Sequence, residues 1–456
     1  MAATRMFFLY SLLTGAAMLV ASPYFLFQAL SRGQSFGSLR QRFGWGYSPE
    51  LIAGEAGAIW VHAVSVGELL AVLPLLRRLA ERFPRRRIVV STTTATGQRL
   101  ARERLPRADA IFYFPLDWRG PVRRAMAAVR PAIIVIAETE IWPNFLRAAS
   151  ERGVPVAFVN GRLSDRSYQR QRRAASISPR ILGKFIRRVL AFPAIYLMQS
   201  DADAQRLLDL GAPRERVIVS GNLKYDLPQP GIGHLNTWLS AELQRTQRGP
   251  VLLAGSLAEG EERPVLEAMS AIEREWPRAL LIAAPRKPQH FDAAVRGIEA
   301  SGRVVVRRSA VDQGGHDAGG RTLDTPSSVF LLDSVGDLAD LFALADAVFV
   351  GGSLVPMGGH NILEPAIAGR VPVFGPSMHN FKDIAARFRE AGAGIEVVDA
   401  TALAAVWAGL LRDPQERERR GAAAKALVAR YRGATDAAVD QLSALLNATQ
   451  VARDKL

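Results

Sequence analysis

From residue 58 onward the sequence alternates short, unbroken apolar runs with amphipathic ones, and it does so twice. In the first half the runs are "AIWVHAV", "RRIVVSTT", "AIFYFP", "PAIIVIAE", "VPVAFVN", "IYLMQS" and "RVIVSGN". A run that is apolar without alternation predicts a strand buried on both faces, hence a parallel sheet covered by helices on either side. The intervening segments carry the helical period: in 69–83, Leu69, Val72, Leu73, Leu76 and Leu79 share one face. Pro74, inside that segment, is expected to kink it. The stretch "DLPQPGIGHLNT", 226–237, breaks the pattern and reads as a linker. The alternation then restarts with "PVLLAGSL", "ALLIAAPR", "VVVRRS", "VFLLDS", "AVFVGGSL", "VPVFGP" and "GIEVVD", and from 401 the chain is helical. Residues 309–327, rich in Gly and Asp, read as a surface loop. The expectation is two Rossmann-like, doubly wound α/β domains, 33–228 and 238–456, the second with a helical tail. They would face a cleft, with ligands at the carboxyl ends of the strands.

The residues before this pattern ask for a different solvent. Positions 6–30, "MFFLYSLLTGAAMLVASPYFLFQAL", contain no charged side chain, and at 1.5 Å per residue they are long enough for a bilayer core of about 30 Å. Residues 1–32 are therefore expected to anchor the chain. A cleaved signal peptide competes, but no small-residue cleavage site follows. Pro23 and Gln28 keep a kinked or interfacial helix open as the alternative. Arg5 precedes the segment and Arg32, Arg40 and Arg42 follow it, which predicts a cytoplasmic position for everything after. The net charge is +15, from 58 Lys and Arg against 43 Asp and Glu, so an anionic partner is expected. No aromatic–basic RNA motif is present, and nucleic acid is not expected. In 170–192, Arg170, Arg172, Arg173, Arg180, Lys184, Arg187 and Arg188 are interleaved with Ile181, Leu182, Phe185 and Ile186. That mixture suits anionic lipid head groups.

Candidate chemistry lies at the ends of the predicted strands. Glu68 follows the first strand and a small-residue turn, with no obvious structural role. Glu138 and Glu140, in "ETEIWPN", follow another strand, and Lys224, in "GNLKYD", comes at the last strand before the linker. Each charge alone is as well explained by a solvated loop. Carboxylates and a lysine gathered at strand ends suit transfer to a hydroxyl. In the second half, Gly351-Gly352-Ser353 follows a strand and "MGGHNILEPA" opens a helix, an arrangement that lets phosphate approach backbone N–H groups. Glu364 is placed to accept from a ribose diol, and Arg286 to contact phosphate. Asp201 and Asp203 mimic a metal-binding pair but read better as a helix start. There is no cysteine, which excludes disulfides and thiol chemistry, and no His/Asp cluster has metal-ligand spacing.

These motifs together make the chain resemble the 3-deoxy-D-manno-octulosonate (Kdo) transferases, which move Kdo from CMP-Kdo onto the lipid A precursor, lipid IVA, in lipopolysaccharide synthesis. The resemblance rests on "RFGW", "WVHAVSVGELLA", "ETEIWPN", "NGRLSDRS", "GNLKYD", "GEE", "APRKP", "VGDL", "FVGGSL", "GGHNILEPA" and "NFKDI". It implies the two-domain GT-B glycosyltransferase fold, the first domain for the acceptor and the second for the CMP-sugar. It also implies an inverting, metal-independent reaction with no cofactor, CMP-Kdo being a substrate. By motif, Glu68 would be the general base, and Glu138 and Lys224 would stabilise the transition state. CMP would contact Pro285, Arg286, Val335, Gly336, Asp337, Asn361, Ile362, Leu363 and Glu364. Two places depart from the pattern: Ser256-Leu257-Ala258 stands where the family usually has Ser-Thr-His, and Lys287 where it has histidine. The alternatives are another nucleotide-sugar transferase of the same fold acting on a membrane lipid, and a membrane-tethered binding protein for nucleotides or nucleic acid.

Overall fold

The computed structural model describes residues 2–31, 36–105, 108–228, 231, 233–310 and 323–454. Within these, the apolar runs become strands. β1 (Ala58–Ala63), β2 (Ile88–Thr92), β3 (Ala110–Tyr113), β4 (Pro131–Ala137), β5 (Val156–Gly161), β6 (Ile195–Met198) and β7 (Val217–Val219) form one seven-stranded sheet, in the order β3-β2-β1-β4-β5-β6-β7. β8 (Val251–Leu257), β9 (Leu280–Pro285), β10 (Val304–Arg307), β11 (Ser328–Leu331), β12 (Ala347–Val350), β13 (Pro372–Phe374) and β14 (Ile395–Glu396) form the other, in the order β10-β11-β9-β8-β12-β13-β14. The pairings are parallel throughout. Both faces of each sheet are covered, which is why neither needs a polar side. On one face of the first sheet Trp60, Ile134 and Phe158 join Phe112 and Phe145. On the other, Ile59, Val61, Ile133 and Val135 meet Leu69, Val72, Leu76 and Leu79 of the helix Val66–Arg82. That helix contains Pro74 in its interior.

Two compact units result: Met1–Asp226 with Arg432–Leu456, and Leu227–Tyr431. The division corrects one expectation. The final helix, Ala434–Asp454, does not belong with the second sheet. Its Ala438, Val439, Leu442 and Leu446 are buried in the core of the first. Asp226 fixes the return, its carboxylate accepting from the backbone N–H groups of Gly433 (2.7 Å) and Thr435 (2.5 Å).

The N-terminal helix, Ala2–Ser31, packs on the rest of the first unit through Phe7, Ser11 and Thr14. The Asn144 amide donates to Ser11 Oγ at 2.9 Å and Trp118 Nε1 to Thr14 Oγ1 at 3.3 Å. Phe7 is buried against Phe185 and Phe192, with ring centroids 5.1 and 6.0 Å apart. Phe8, Leu9, Leu12, Leu13, Leu19 and Val20 are left exposed. Among the described residues no helix is long and apolar enough to cross a membrane. The side chains of Arg5, Arg32 and residues 21–30, on which the anchor expectation also rests, lie outside those described. Arg42, expected as a cationic flank of an anchor, is instead half-buried, donating to the Thr93 carbonyl and lying 5.1 Å over the Tyr113 ring. Most of the expected surface loop at 309–327, namely 311–322, also falls outside the described residues, as do 229, 230 and 232 of the linker.

Candidate functional site

In a doubly wound sheet the chain leaves two neighbouring strands in opposite directions at one point, and a crevice opens beyond their carboxyl ends. In the first sheet that point lies between β1 and β4. Each strand delivers a carboxylate there. After β1 the chain turns at Val64-Ser65 into the helix Val66–Arg82. Ser65 is its N-cap, accepting from the Glu68 N–H at 3.3 Å. Glu68 reaches back: one carboxylate oxygen accepts from the Val64 N–H (2.7 Å), the other from the Ser65 hydroxyl (3.0 Å). This is the Ser-x-x-Glu capping box, shifted by one residue. A structural role, absent from the sequence expectation, therefore falls to Glu68, and the capping signature was there to be read. Ser200 likewise caps the helix Asp201–Asp209, accepting from the Asp203 N–H at 3.2 Å and donating to its carboxylate at 2.5 Å, so these acids mark a helix start as expected.

Capping does not exhaust Glu68. Burial pushes its carboxyl up to about 7, against the Val64 hydrogen bond, and the negative charges of Glu138 and Glu140 push the same way. Glu138 follows β4 directly with φ of +54°, a left-handed backbone that a non-glycine residue rarely adopts. Glu140 is raised by burial and then by Glu138. Lys224 is lowered by burial and by the neighbouring Arg162, while Glu138 and Glu68 pull it back up. The fold thus brings Glu68, Glu138, Glu140 and Lys224 within electrostatic reach of one another.

Two members of this group were not singled out from sequence. Arg162 follows β5, and its backbone N–H donates to Thr139 Oγ1 at 2.9 Å, tying it to the Glu138 turn. Asn160, near the end of β5 with φ of +56°, sets the height of Lys224. Its side-chain oxygen accepts from the Leu223 N–H (2.9 Å), and its carbonyl accepts from Gln199, which in turn accepts from Asn222 (both 2.9 Å). Asn222 Oδ1 then accepts from the Lys224 N–H at 3.0 Å.

The corresponding switch in the second sheet lies between β8 and β12. The Gly351-Gly352-Ser353 turn after β12 does present converging N–H groups, but not to a ligand. The carboxylate of Glu261, fully buried, accepts from Gly352, from Ser353 at 2.9 Å, from Leu354 at 2.8 Å and from Ala258 at 2.9 Å. The expectation that phosphate lies on this turn is corrected: the chain's own anion already takes those donors.

The remaining predicted donor contacts surround that turn. Pro285 ends β9, and the Arg286 N–H bonds the Leu257 carbonyl at 2.9 Å. His360 is pushed down to about 4 by burial, with the charges of Arg286 and Lys287 adding to the effect. Burial pushes Glu364 up, while the Asn361 amide (3.0 Å from Glu364 Oε1) and Arg286 pull it down. Arg286, Lys287, His360, Asn361 and Glu364 are therefore one neighbourhood, in which Ile362 and Leu363 are buried supports. In the loop after β11, Val335 is 66% exposed, Gly336 has φ of +110°, and Asp337 accepts from Ser334 Oγ at 2.6 Å. Among the described residues no group of three or more His, Asp or Glu is arranged to hold a metal ion.

The family model for 3-deoxy-D-manno-octulosonic-acid transferase (kdotransferase) matches residues 37–227. The 3-deoxy-D-manno-octulosonic acid transferase of Bordetella pertussis is 37% identical over 406 residues, 85% of this chain and 87% of that one. The enzyme of the same name from Haemophilus influenzae is 31% identical over 397 residues, with the same coverage of 85% and 87%. Among solved structures, S. aureus MnaA in a co-structure with UDP superposes with a TM-score of 0.52 at 14% identity, over 86% of this chain and 97% of that one. That likeness speaks for the fold, two parallel-sheet α/β units similar to GT-B glycosyltransferases, and for nothing finer. The sequence relationship goes further, and by identity and coverage this chain belongs to the Kdo transferases, a family of glycosyltransferases.

Proposed function

We propose that the chain transfers Kdo from CMP-Kdo to lipid IVA with inversion, Glu68 acting as general base. The observation that supports this is a carboxylate at the β1–β4 switch point, raised to about 7 by burial and by two neighbouring acids. A base is most effective when its pKa lies near working pH. In the step proposed, an acceptor hydroxyl oxygen attacks the anomeric carbon of Kdo while its proton passes to the Glu68 carboxylate. The bond from that carbon to the CMP phosphate breaks, and its electron pair leaves with the phosphate. Lys224 supplies positive charge in the transition state, and Glu138 holds it in its protonated form. On the donor, Arg286 pairs with phosphate and Glu364 with the ribose diol, with Pro285, Val335 to Asp337 and Asn361 to Leu363 lining the nucleotide. No metal and no cofactor enter this scheme. The test is the mass of the product from purified enzyme, CMP-Kdo and lipid IVA in excess EDTA, where lipid IVA extended by Kdo is expected. No product, or product only after magnesium is returned, refutes it. Stronger thermal protection by UDP than by CMP favours a different nucleotide sugar.

Under the same proposal the enzyme works at the cytoplasmic face of the inner membrane, docked through its N-terminal helix and residues 170–192. The support is an apolar face beside exposed cations. Phe8, Leu9, Leu12 and Leu13 are exposed on the helix whose opposite face packs on Phe185, and Ile177, Ile181 and Leu182 are exposed close by in sequence. Phe185 and Ile186 pack on the core instead of facing outward. Arg170, Arg172, Arg173, Arg180, Lys184, Arg187 and Arg188 are all exposed. Because removing the N-terminal helix would uncover Phe185, the test keeps the full chain. Changing Arg172, Arg173, Arg187 and Arg188 to Gln should weaken binding to anionic liposomes by roughly 1 kcal/mol per residue at low salt. The acceptor KM should rise with CMP affinity unchanged. Undiminished liposome binding at low salt would leave the stretch as a solvated face.

A further inference from the structure

We infer that Glu261 is a positioning residue for the donor site, a built-in anion whose carboxylate shapes the loop on which the nucleotide rests. The inference builds on the donor reading above. Four backbone N–H groups from two strand ends converge on this one side chain: Ala258 beyond β8, and Gly352, Ser353 and Leu354 beyond β12. Such a nest is the kind of concavity that takes a phosphate. Here it is filled from within, at the switch point itself. Gly351 shows how closely the turn is drawn in: a Cβ there would lie 2.6 Å from the Ser256 carbonyl and 2.7 Å from Glu261 Oε2.

From this clamp the chain leads straight to the donor contacts. The Gly359 N–H bonds the Gly352 carbonyl at 2.7 Å, and the His360 ring lies where a Cβ on Gly352 would be 2.7 Å away. Ser353 braces the far side, its hydroxyl accepting from the Gly375 N–H (2.8 Å) and its carbonyl from Ser377 (2.9 Å). Asn361 and Glu364 follow within four residues of His360. On the β8 side, Leu257 precedes the clamped Ala258 and accepts from the Arg286 N–H. The carboxylate thus sets the spacing between the Arg286 side and the His360–Glu364 side of the donor neighbourhood. With a negative charge already in the nest, the donor phosphate is left to Arg286 and Lys287.

The experiment uses the full-length enzyme, with CMP as probe. Glu261→Gln turns an NH2 group toward N–H donors and leaves some of them unsatisfied. CMP affinity, read by calorimetry, should fall by about ten- to a hundredfold, the donor KM rising with it. Glu261→Ala leaves an empty nest of N–H groups, and added formate should restore part of its CMP affinity while doing nothing for the wild type. A purely architectural glutamate would lower thermal stability but would give no formate response in CMP binding. Should Glu261→Ala fail to fold, hydrogen exchange on the wild type decides: the amides of 352–354 should be protected equally with and without CMP. Protection that appears only with CMP, or wild-type CMP affinity in Glu261→Gln, overturns the inference. If the wild type itself fails to bind CMP, the donor reading falls first.

Discussion

Glu68→Gln should lower turnover by about 10²–10⁴ and, at the same time, stabilise the protein at neutral and alkaline pH. The two effects share one cause. The Glu68 carboxyl is raised from 4.5 to about 7 in the folded protein because its charge is buried beside Glu138 and Glu140. A raised carboxyl binds its proton more tightly in the folded state than in the unfolded one. Its favourable contribution is therefore fully present below about pH 4.5, is lost as pH rises toward 7, and above 7 the full cost of a buried charge remains. At 1.36 kcal/mol per pKa unit, and allowing for relaxation, that cost is about 1–3 kcal/mol. Glutamine carries no charge and avoids it. It also makes a poorer cap for Val64 and Ser65, a loss of about 1 kcal/mol at every pH. The difference in melting temperature between variant and wild type should thus change sign: negative near pH 4.5, positive above 7. Wild-type turnover would remove Glu68 as the base. A melting difference independent of pH would mean that the charge is not buried at a cost.

That trade-off explains why the role of Glu68 was only half legible. The fold class could be read because every strand of a covered parallel sheet must be apolar throughout, so "PAIIVIAE" and "PVLLAGSL" announce themselves. The Ser65-x-x-Glu68 box was equally local and equally readable, as Ser200-x-x-Asp203 was. What separates the two lies outside the local pattern. Glu68 has Glu138 and Glu140 across the switch point, and Asp203 instead accepts from the Leu163 N–H. Strand order was not legible either, since β11 enters between β9 and β10 although it follows both in sequence. The last helix shows its stripe, Ala438, Val439, Leu442 and Leu446, but nothing in a stripe says which sheet it will cover. Glu261 was hidden most completely. Three of its four partners are 91 to 93 residues away, and a Gly-Gly-Ser turn reads the same whether a ligand or a side chain fills it.

Replacing Lys224 with methionine should cost turnover on the order of 10²–10³ and should also move the pH dependence of what remains. Lys224 sits just beyond β7 on a turn that Asn160 and Asn222 hold in place, so the change removes a charge without freeing the backbone. Burial lowers the ammonium, and Glu138 and Glu68 oppose that by favouring its charged form. The attraction is mutual: whatever Glu68 does to keep Lys224 protonated, Lys224 does to keep Glu68 ionised. Without the ammonium, Glu68 faces Glu138 and Glu140 with less compensation, and its pKa climbs further above 7. The ascending limb of kcat/KM against pH should therefore shift upward, by about 0.5–1 unit. Lys224→Arg keeps the charge but replaces a compact ammonium with a planar fork that has to fit beside Arg162. It should restore the position of the limb while leaving kcat low. This pairing separates the two jobs of the residue. If the methionine variant loses rate with its limb unmoved, Lys224 acts on the transition state alone, and the coupling to Glu68 is not part of catalysis. If neither rate nor limb changes by more than a few fold, Lys224 has no place in the reaction.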